Sequence, residues 1–324
     1  MKPILGTENP QIKYVRYETP SAFRKAGAFL PRKIMGIYNY RLSPYMGCAK
    51  RCQYCFEYHN EFINSNEVKI KTNTVSILKK GIENMGESNP ILLDGYDCEV
   101  AEQKERLIRD SLEVMIKHGQ SVLIQTKSGL VLRDLDLLEE LNALADFVSV
   151  SFSLTSLDKE HARIFEPYTC TPENRLKAMR AVSDAGISTG IILMPVIPHI
   201  SDTDECLDTL FSKASECGCQ YIVPEPLRIR STGNQREMCF NTLRQHFPHL
   251  IGRYKKLYPA SPFGPKFGSG PQDPNYLQSL SKRIHSLAEN YGIPAEFPRF
   301  TKRGPGRARA MARRQRTLDS FMEP

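Results

Sequence analysis

Long apolar runs are missing from this 324-residue chain. No stretch approaches the roughly 18 residues that a bilayer-crossing helix needs, so no membrane partner is expected. The opening residues, MKPILGTENPQ, lack the hydrophobic stretch of a signal peptide, and a cytoplasmic location is the expectation. Internal repeats are absent too. An even disulfide framework is also missing. Nine cysteines, three of them crowded together, fit a reducing compartment and a metal site better than cross-links. What remains is ordinary for a globular protein, with 40% hydrophobic and 25% charged residues. At this length two domains are the prior, although an α/β barrel can use most of the chain as one.

Acidic residues are missing from one place in particular. Arg299, Lys302, Arg303, Arg307, Arg309, Arg313, Arg314 and Arg316 follow one another with no acid between them. The net charge is +8, and with this tail set aside the body is nearly neutral. A cationic arm of this kind suits a polyanion such as DNA or RNA; a solvated tail is the plainer reading.

The most informative residues are Cys48, Cys52 and Cys55, spaced C-x3-C-x2-C in one short loop. A [4Fe–4S] cluster is ordinarily held by four cysteines. Three close together leave one iron open to something other than the protein. The competing reading is a Cys3His zinc knot completed by His59.

From about Tyr38 to Pro226, strand-like runs alternate with amphipathic ones. The pattern predicts strands at 38–44, 90–95, 121–127, 146–154, 187–195 and 220–225, and helices near 73–84, 101–118, 134–143, 172–185 and 203–216. Such alternation implies an α/β fold with a parallel sheet and helical crossovers. The cysteine loop directly follows the first strand, at the carboxyl end where parallel barrels carry their active sites. After about residue 250 the pattern breaks, and one further helix is expected at 276–290. The division expected is an N-terminal extension (1–37), a barrel (38–250), a C-terminal extension (251–298) and a flexible basic tail (299–324).

The cysteine spacing, with Tyr54 just before the third cysteine, resembles the cluster loop of the radical S-adenosylmethionine (SAM) superfamily. The stretches SPYMGCAKRCQYCF, QTKSGLVLRDLDLLEEL and PENRLKAMRAVSDAGISTGIILMPVIP are similar to its spore photoproduct lyase branch, which contains a DNA-repair lyase. The resemblance implies a partial (β/α)6 TIM-type barrel, a [4Fe–4S] cluster on Cys48, Cys52 and Cys55, and SAM on the open iron. It further implies reductive SAM cleavage to a 5′-deoxyadenosyl radical, with electrons from a donor such as ferredoxin or flavodoxin. Carried over by position, Tyr54 lies near the SAM adenine and Lys127 contacts the SAM carboxylate. Ser151 and Ser153, ending the fourth strand, are read as alternating in direction along it, so that one of them is expected to face the barrel mouth and bond SAM, while Met194 and Val196 pack against adenine. Cys98, 43 residues beyond Cys55, matches the cysteine that returns a hydrogen atom to the substrate radical, and Tyr96 stands two residues away as a radical relay. A thiol S–H bond is weak enough to quench a carbon radical; the plainer reading of Cys98 is a buried, inert cysteine. Cys206, Cys217, Cys219 and Cys239 read as structural thiols.

Two further features bear on partners. Arg228 and Arg230, with Arg253, Tyr254, Lys255, Lys256 and Lys266, are candidates for DNA phosphate contacts and an aromatic wedge. Gln315, Leu318, Phe321 and Met322 resemble the PIP box that docks proteins on the sliding clamp PCNA, with Met322 departing from the preferred aromatic. The function expected is therefore a radical SAM lyase repairing a DNA base lesion, recruited by a PCNA-type clamp. Two alternatives stay open: a radical SAM enzyme modifying RNA, a peptide or a small molecule, and a non-enzymatic zinc-binding clamp adaptor.

Overall fold

A computed structural model describes residues 5–7, 11–25, 38–56, 66–85, 90–261, 268–298 and 300. Its strands are β1 (Lys13–Tyr17), β2 (Phe23–Lys25), β3 (Tyr40–Leu42), β4 (Tyr45–Met46), β5 (Glu67–Lys71), β6 (Ile91–Leu93), β7 (Val122–Thr126), β8 (Val148–Ser153), β9 (Ser188–Val196) and β10 (Ile222–Pro226). The helices are α1 (Thr74–Glu83), α2 (Glu99–Glu105), α3 (Leu107–His118), α4 (Leu135–Leu144), α5 (Lys159–Phe165), α6 (Pro172–Asp184), α7 (Asp204–Glu216), α8 (Asn234–His246), α9 (Ile251–Leu257) and α10 (Pro274–Tyr291).

The main sheet has seven strands in the order β10-β9-β8-β7-β6-β3-β2. Six of them, β3 and β6 to β10, run parallel in chain order, and β2 closes one edge antiparallel to β3. Among the described residues both edges stay unjoined, so the sheet is an open partial barrel. This is the α/β architecture that alternating runs predict, because each parallel step needs a crossover helix.

The two faces follow the strand alternation. Ile91, Leu93, Val122, Ile124, Val148, Val150, Phe152, Ile191 and Leu193 point into the large core shared with the helices. The intervening Leu92, Leu123, Ile192 and Val223 point to the other face, where Tyr38, Tyr221 and Phe297 fill the base of the barrel. Gly190 makes room for that filling: a Cβ there would stand 2.4 Å from the Tyr221 ring.

Four expectations need correction. The cysteine loop does not follow the first barrel strand directly. The two-residue β4 intervenes and pairs with β5 in a separate sheet, β1-β5-β4. The helix expected over 101–118 is two helices, broken where Arg106 adopts φ +56°. Buried Glu102 drives the break, since its carboxylate caps α3 by accepting from Ile108 N at 3.0 Å. Residues 251–257, expected to be irregular, form α9. Finally, Ser151 and Ser153 are two residues apart and therefore share one face of β8, rather than alternating.

Helices α8 and α9 build a second core with Cys52, Tyr54, Phe165, Ile197 and Ile200. The chain beyond the last strand thus folds back onto the cysteine loop. No helix among the described residues is long and apolar enough to cross a membrane.

Candidate active site

Gly47 starts the cysteine loop at φ +88°, and a Cβ there would stand 2.4 Å from the Glu67 carbonyl. Only glycine turns the chain this closely past β5. The loop is then pinned from two sides. Lys50, between the first two cysteines, places its ammonium 2.6 Å from Glu99 on α2, and both side chains are buried. Glu99 also accepts from Gly6 N at 3.0 Å and from the Ser128 hydroxyl. On the other side, the Tyr54 hydroxyl donates to Glu166, and Gln53 N donates to Phe165 O at 2.9 Å. Helix α8 adds a third support: Gln235 donates to Tyr54 O at 3.1 Å and the Cys239 thiol to Gln53 O at 3.5 Å.

Cys48 and Cys55 are half-buried and Cys52 is buried, all as free thiols. Burial is the main cause that pushes the Cys48 and Cys52 thiols up, so metal capture must displace protons. Among the described residues, no three Cys, His, Asp or Glu groups gather tightly enough to share one metal ion. Three thiols on one loop, held by protein contacts on both sides, would supply three of the four ligands that a [4Fe–4S] cluster ordinarily takes. The donor set fits a [4Fe–4S] cluster; His59, the fourth ligand of the zinc reading, lies outside the described residues.

Cys98 is the N-cap of α2, buried, with its thiol 3.7 Å from Gly47 O at the start of the cysteine loop. Burial, then Asp97 and Asp94, raise its pKa and keep it a thiol. Asp97 ties this loop to the next strand by accepting from the Thr126 hydroxyl at 2.8 Å and Lys127 N at 2.7 Å. Lys127 therefore projects at the same end of the sheet as Cys98. Its ammonium lies 3.9 Å from Glu166 and 6.0 Å from the Tyr54 ring centre. Burial alone would lower its pKa; Glu166 and Cys52 outweigh burial and raise it. The Tyr96 hydroxyl, expected to serve Cys98, is instead committed to Asp134 at 2.9 Å, and burial with that carboxylate raises its pKa.

Ser151 is fully buried, with its hydroxyl 2.8 Å from the Tyr221 hydroxyl at the barrel base. Ser153, one step nearer the mouth on the same face, is half-buried. Met194 is half-buried on the barrel face. Val196, expected beside it, is fully buried in the helix-side core and offers a nucleoside no surface. The reason is a register shift, in which Leu193 to Val196 spans Pro224 to Pro226, so one extra residue turns Val196 to the opposite face.

The expected nucleic-acid residues separate. Arg253, Lys255 and Lys256 are exposed on α9. Tyr254 is not a wedge: it is fully buried, with its hydroxyl donating to Pro198 O at 2.7 Å. Alternation of exposed cations with a core anchor is simply an amphipathic helix. Arg228 donates to Gly268 O at 2.8 Å, and the Arg230 guanidinium lies 5.7 Å from the Phe56 ring centre, beside Cys55. Lys266, Gln315, Leu318, Phe321 and Met322 lie outside the described residues.

Sequence reasoning missed Glu99, Glu166 and Arg175, the buried charges that organise the loop. One signal for Arg175 was present. It shares the helical stripe of Ala178, Met179 and Val182, so an arginine stands in an apolar face.

Comparison with known proteins agrees with this architecture. The chain is 27% identical over 270 residues to an uncharacterised protein of Mycobacterium tuberculosis, covering 80% of this chain and 76% of the relative. It is also 27% identical over 180 residues to an uncharacterised protein of Methanocaldococcus jannaschii, covering 54% and 66%. Among solved structures it resembles spore photoproduct lyase complexed with dinucleoside spore photoproduct, with a TM-score of 0.63 at 16% identity over 87% of this chain and 81% of the other. A form of that lyase with bound AdoMet and the same dinucleoside gives 0.64 at 16% identity over 88% and 82%. The sequence profile of the radical SAM superfamily matches residues 42–210, and that span holds the cysteine loop, Cys98, Lys127 and Glu166. The chain belongs to the radical SAM superfamily, whose members use a [4Fe–4S] cluster and S-adenosylmethionine.

Proposed function

We propose that the protein is a radical SAM lyase that repairs a DNA base lesion. The observation that carries this reading is the buried Cys98 thiol against Gly47 O, beside the residues that would hold the cluster. Cys48, Cys52 and Cys55 would supply one thiolate each to the cluster, and Lys127 would take the carboxylate of SAM. Together the bound groups supply a carbon-centred radical able to abstract hydrogen from substrate. Cys98 then delivers one hydrogen atom to the product radical. Its raised pKa matters here, because a thiolate has no hydrogen atom to give. The resulting sulfur radical needs one electron and one proton before the next turnover, and a one-electron reductant supplies the electron.

Resemblance in fold to a lyase complexed with a dinucleoside photoproduct supports the substrate class. The exposed cations Arg253, Lys255 and Lys256 add phosphate-binding capacity near the second core. A duplex base must leave the stack to reach such a site. The terminal Gln315–Met322 segment would recruit a PCNA-type clamp.

The test is anaerobic incubation of cluster-reconstituted protein with SAM, dithionite and ultraviolet-irradiated DNA, followed by mass spectrometry of the nucleosides. Loss of a dimeric photoproduct, impaired in Cys98→Ala, is expected. SAM cleavage that irradiated DNA neither stimulates nor consumes would move the assignment to RNA, a peptide or a small molecule. Clamp recruitment is tested by retention on a PCNA trimer, where Phe321→Ala should be lost; equal retention of both proteins discards the motif.

A further inference from the structure

Glu166 is a fully buried carboxylate with two cations within 4 Å of it. They are not held alike. Arg175, also fully buried, spends every edge of its guanidinium: Nε donates to Cys170 O at 2.7 Å, Nη1 to Ser153 O at 2.8 Å, and Nη2 to both Thr169 Oγ1 and Glu166. Lys127 stands 3.9 Å from the same carboxylate, beyond hydrogen-bond length, and its side chain keeps 14% exposure. One anion cannot neutralise two cations, so the trio carries one surplus positive charge, and the loosely held member is the one that opens to solvent. The other nearby carboxylate, Asp97, is engaged by Thr126 and by the backbone N–H of Lys127 itself.

We propose that Arg175 is a positioning residue: it occupies Glu166 so that the Lys127 ammonium is left to receive the carboxylate of SAM. This rests on the reading that Lys127 faces that carboxylate. Without Arg175, a buried Glu166 would have Lys127 as its remaining cation and would draw it into a direct pair. The ligand would then lose its counter-charge. Glu166 in turn orients Tyr54 through the phenol, so the trio joins the cysteine loop to the ligand side of the barrel.

The experiment is anaerobic equilibrium dialysis of SAM and of decarboxylated SAM against reconstituted proteins matched for iron content. Wild type should prefer SAM. Arg175→Met should weaken SAM about 10- to 100-fold, the worth of a charge-assisted hydrogen bond, and leave decarboxylated SAM unchanged. The double variant Arg175→Met/Glu166→Gln removes the competing anion and should recover SAM binding to within about 5-fold of wild type. A merely structural arginine predicts no such recovery. Arg175→Lys, which keeps the charge on Glu166 and is the safer fold, should stay within about 3-fold of wild type. Failure of the double variant to recover, or an Arg175→Lys variant as weak as Arg175→Met, overturns the proposal. Lys127→Met separates the two levels: if it still prefers SAM over the decarboxylated form, the reading of Lys127 itself is wrong.

Discussion

Replacing Lys50 by methionine should destabilise the cluster-free protein, because it leaves a buried carboxylate without its cation. Lys50 and Glu99 are 3% and 5% exposed, with 2.6 Å between ammonium and carboxylate. At an effective dielectric of 20, Coulomb attraction at this distance is about 6 kcal/mol, and desolvation of both groups offsets much of it. Breaking the pair is different from never making it. Lys50→Met strands a buried carboxylate that keeps only Gly6 N and the Ser128 hydroxyl, and the expected loss is about 3–5 kcal/mol. Lys50→Met/Glu99→Gln keeps an acceptor for those donors but no charge, and should regain at least half of the loss. Urea unfolding followed by circular dichroism measures both. Iron retained after reconstitution gives a second reading, since Lys50 stands between Cys48 and Cys52. A single variant within about 1 kcal/mol of wild type, or a double variant no better than the single, would refute the argument.

Four further outcomes follow from the same geometry. Gly47→Ala meets left-handed strain of about 1–2 kcal/mol and a clash with Glu67 O, and should lower iron incorporation beyond what its stability loss explains. Tyr254→Ala should cost about 3–5 kcal/mol as a core truncation, while charge reversal of Arg253, Lys255 and Lys256 should leave stability unchanged and flatten the salt dependence of the proposed DNA binding by up to about 2.7 in slope; gel-shift titration at several salt concentrations checks the latter. Burial works to raise the Glu166 carboxyl, but Arg175 and Lys127 outweigh it and hold the group below its ordinary 4.5. Its stabilising contribution is therefore full above that value and lost as pH falls through the lower folded-state pKa. Acid titration of the cluster-free protein should show the wild-type advantage over Glu166→Gln shrinking below about pH 4.5, and a constant gap would contradict the assignment.

The barrel was legible because its information is local. Apolar alternation and length distinguish the strands at 91–93, 122–126, 148–153, 188–196 and 222–226 without knowledge of what they pack against. The three cysteines were legible for the same reason, since one loop carries them all. What sequence could not give is pairing across distance. Glu166 meets Tyr54 across 112 positions and Glu99 meets Lys50 across 49, and each of these residues alone resembles a surface charge. The orientation of Val196 depended on an extra residue opposite β10, which alternation cannot register. Tyr254 misled because an aromatic flanked by cations reads as a contact surface, whereas helical geometry sends it inward and its neighbours outward.

The lashing of the cysteine loop to α2, to the α5–α6 turn and to α8 bears on how the metal centre is built. A strand of chain that must be ordered by its own metal spends coordination energy on that ordering. Here the ion pair of Lys50 with Glu99, the Tyr54 phenol on Glu166 and the Gln235 amide share that ordering, so less of the energy of capture is spent on folding the loop.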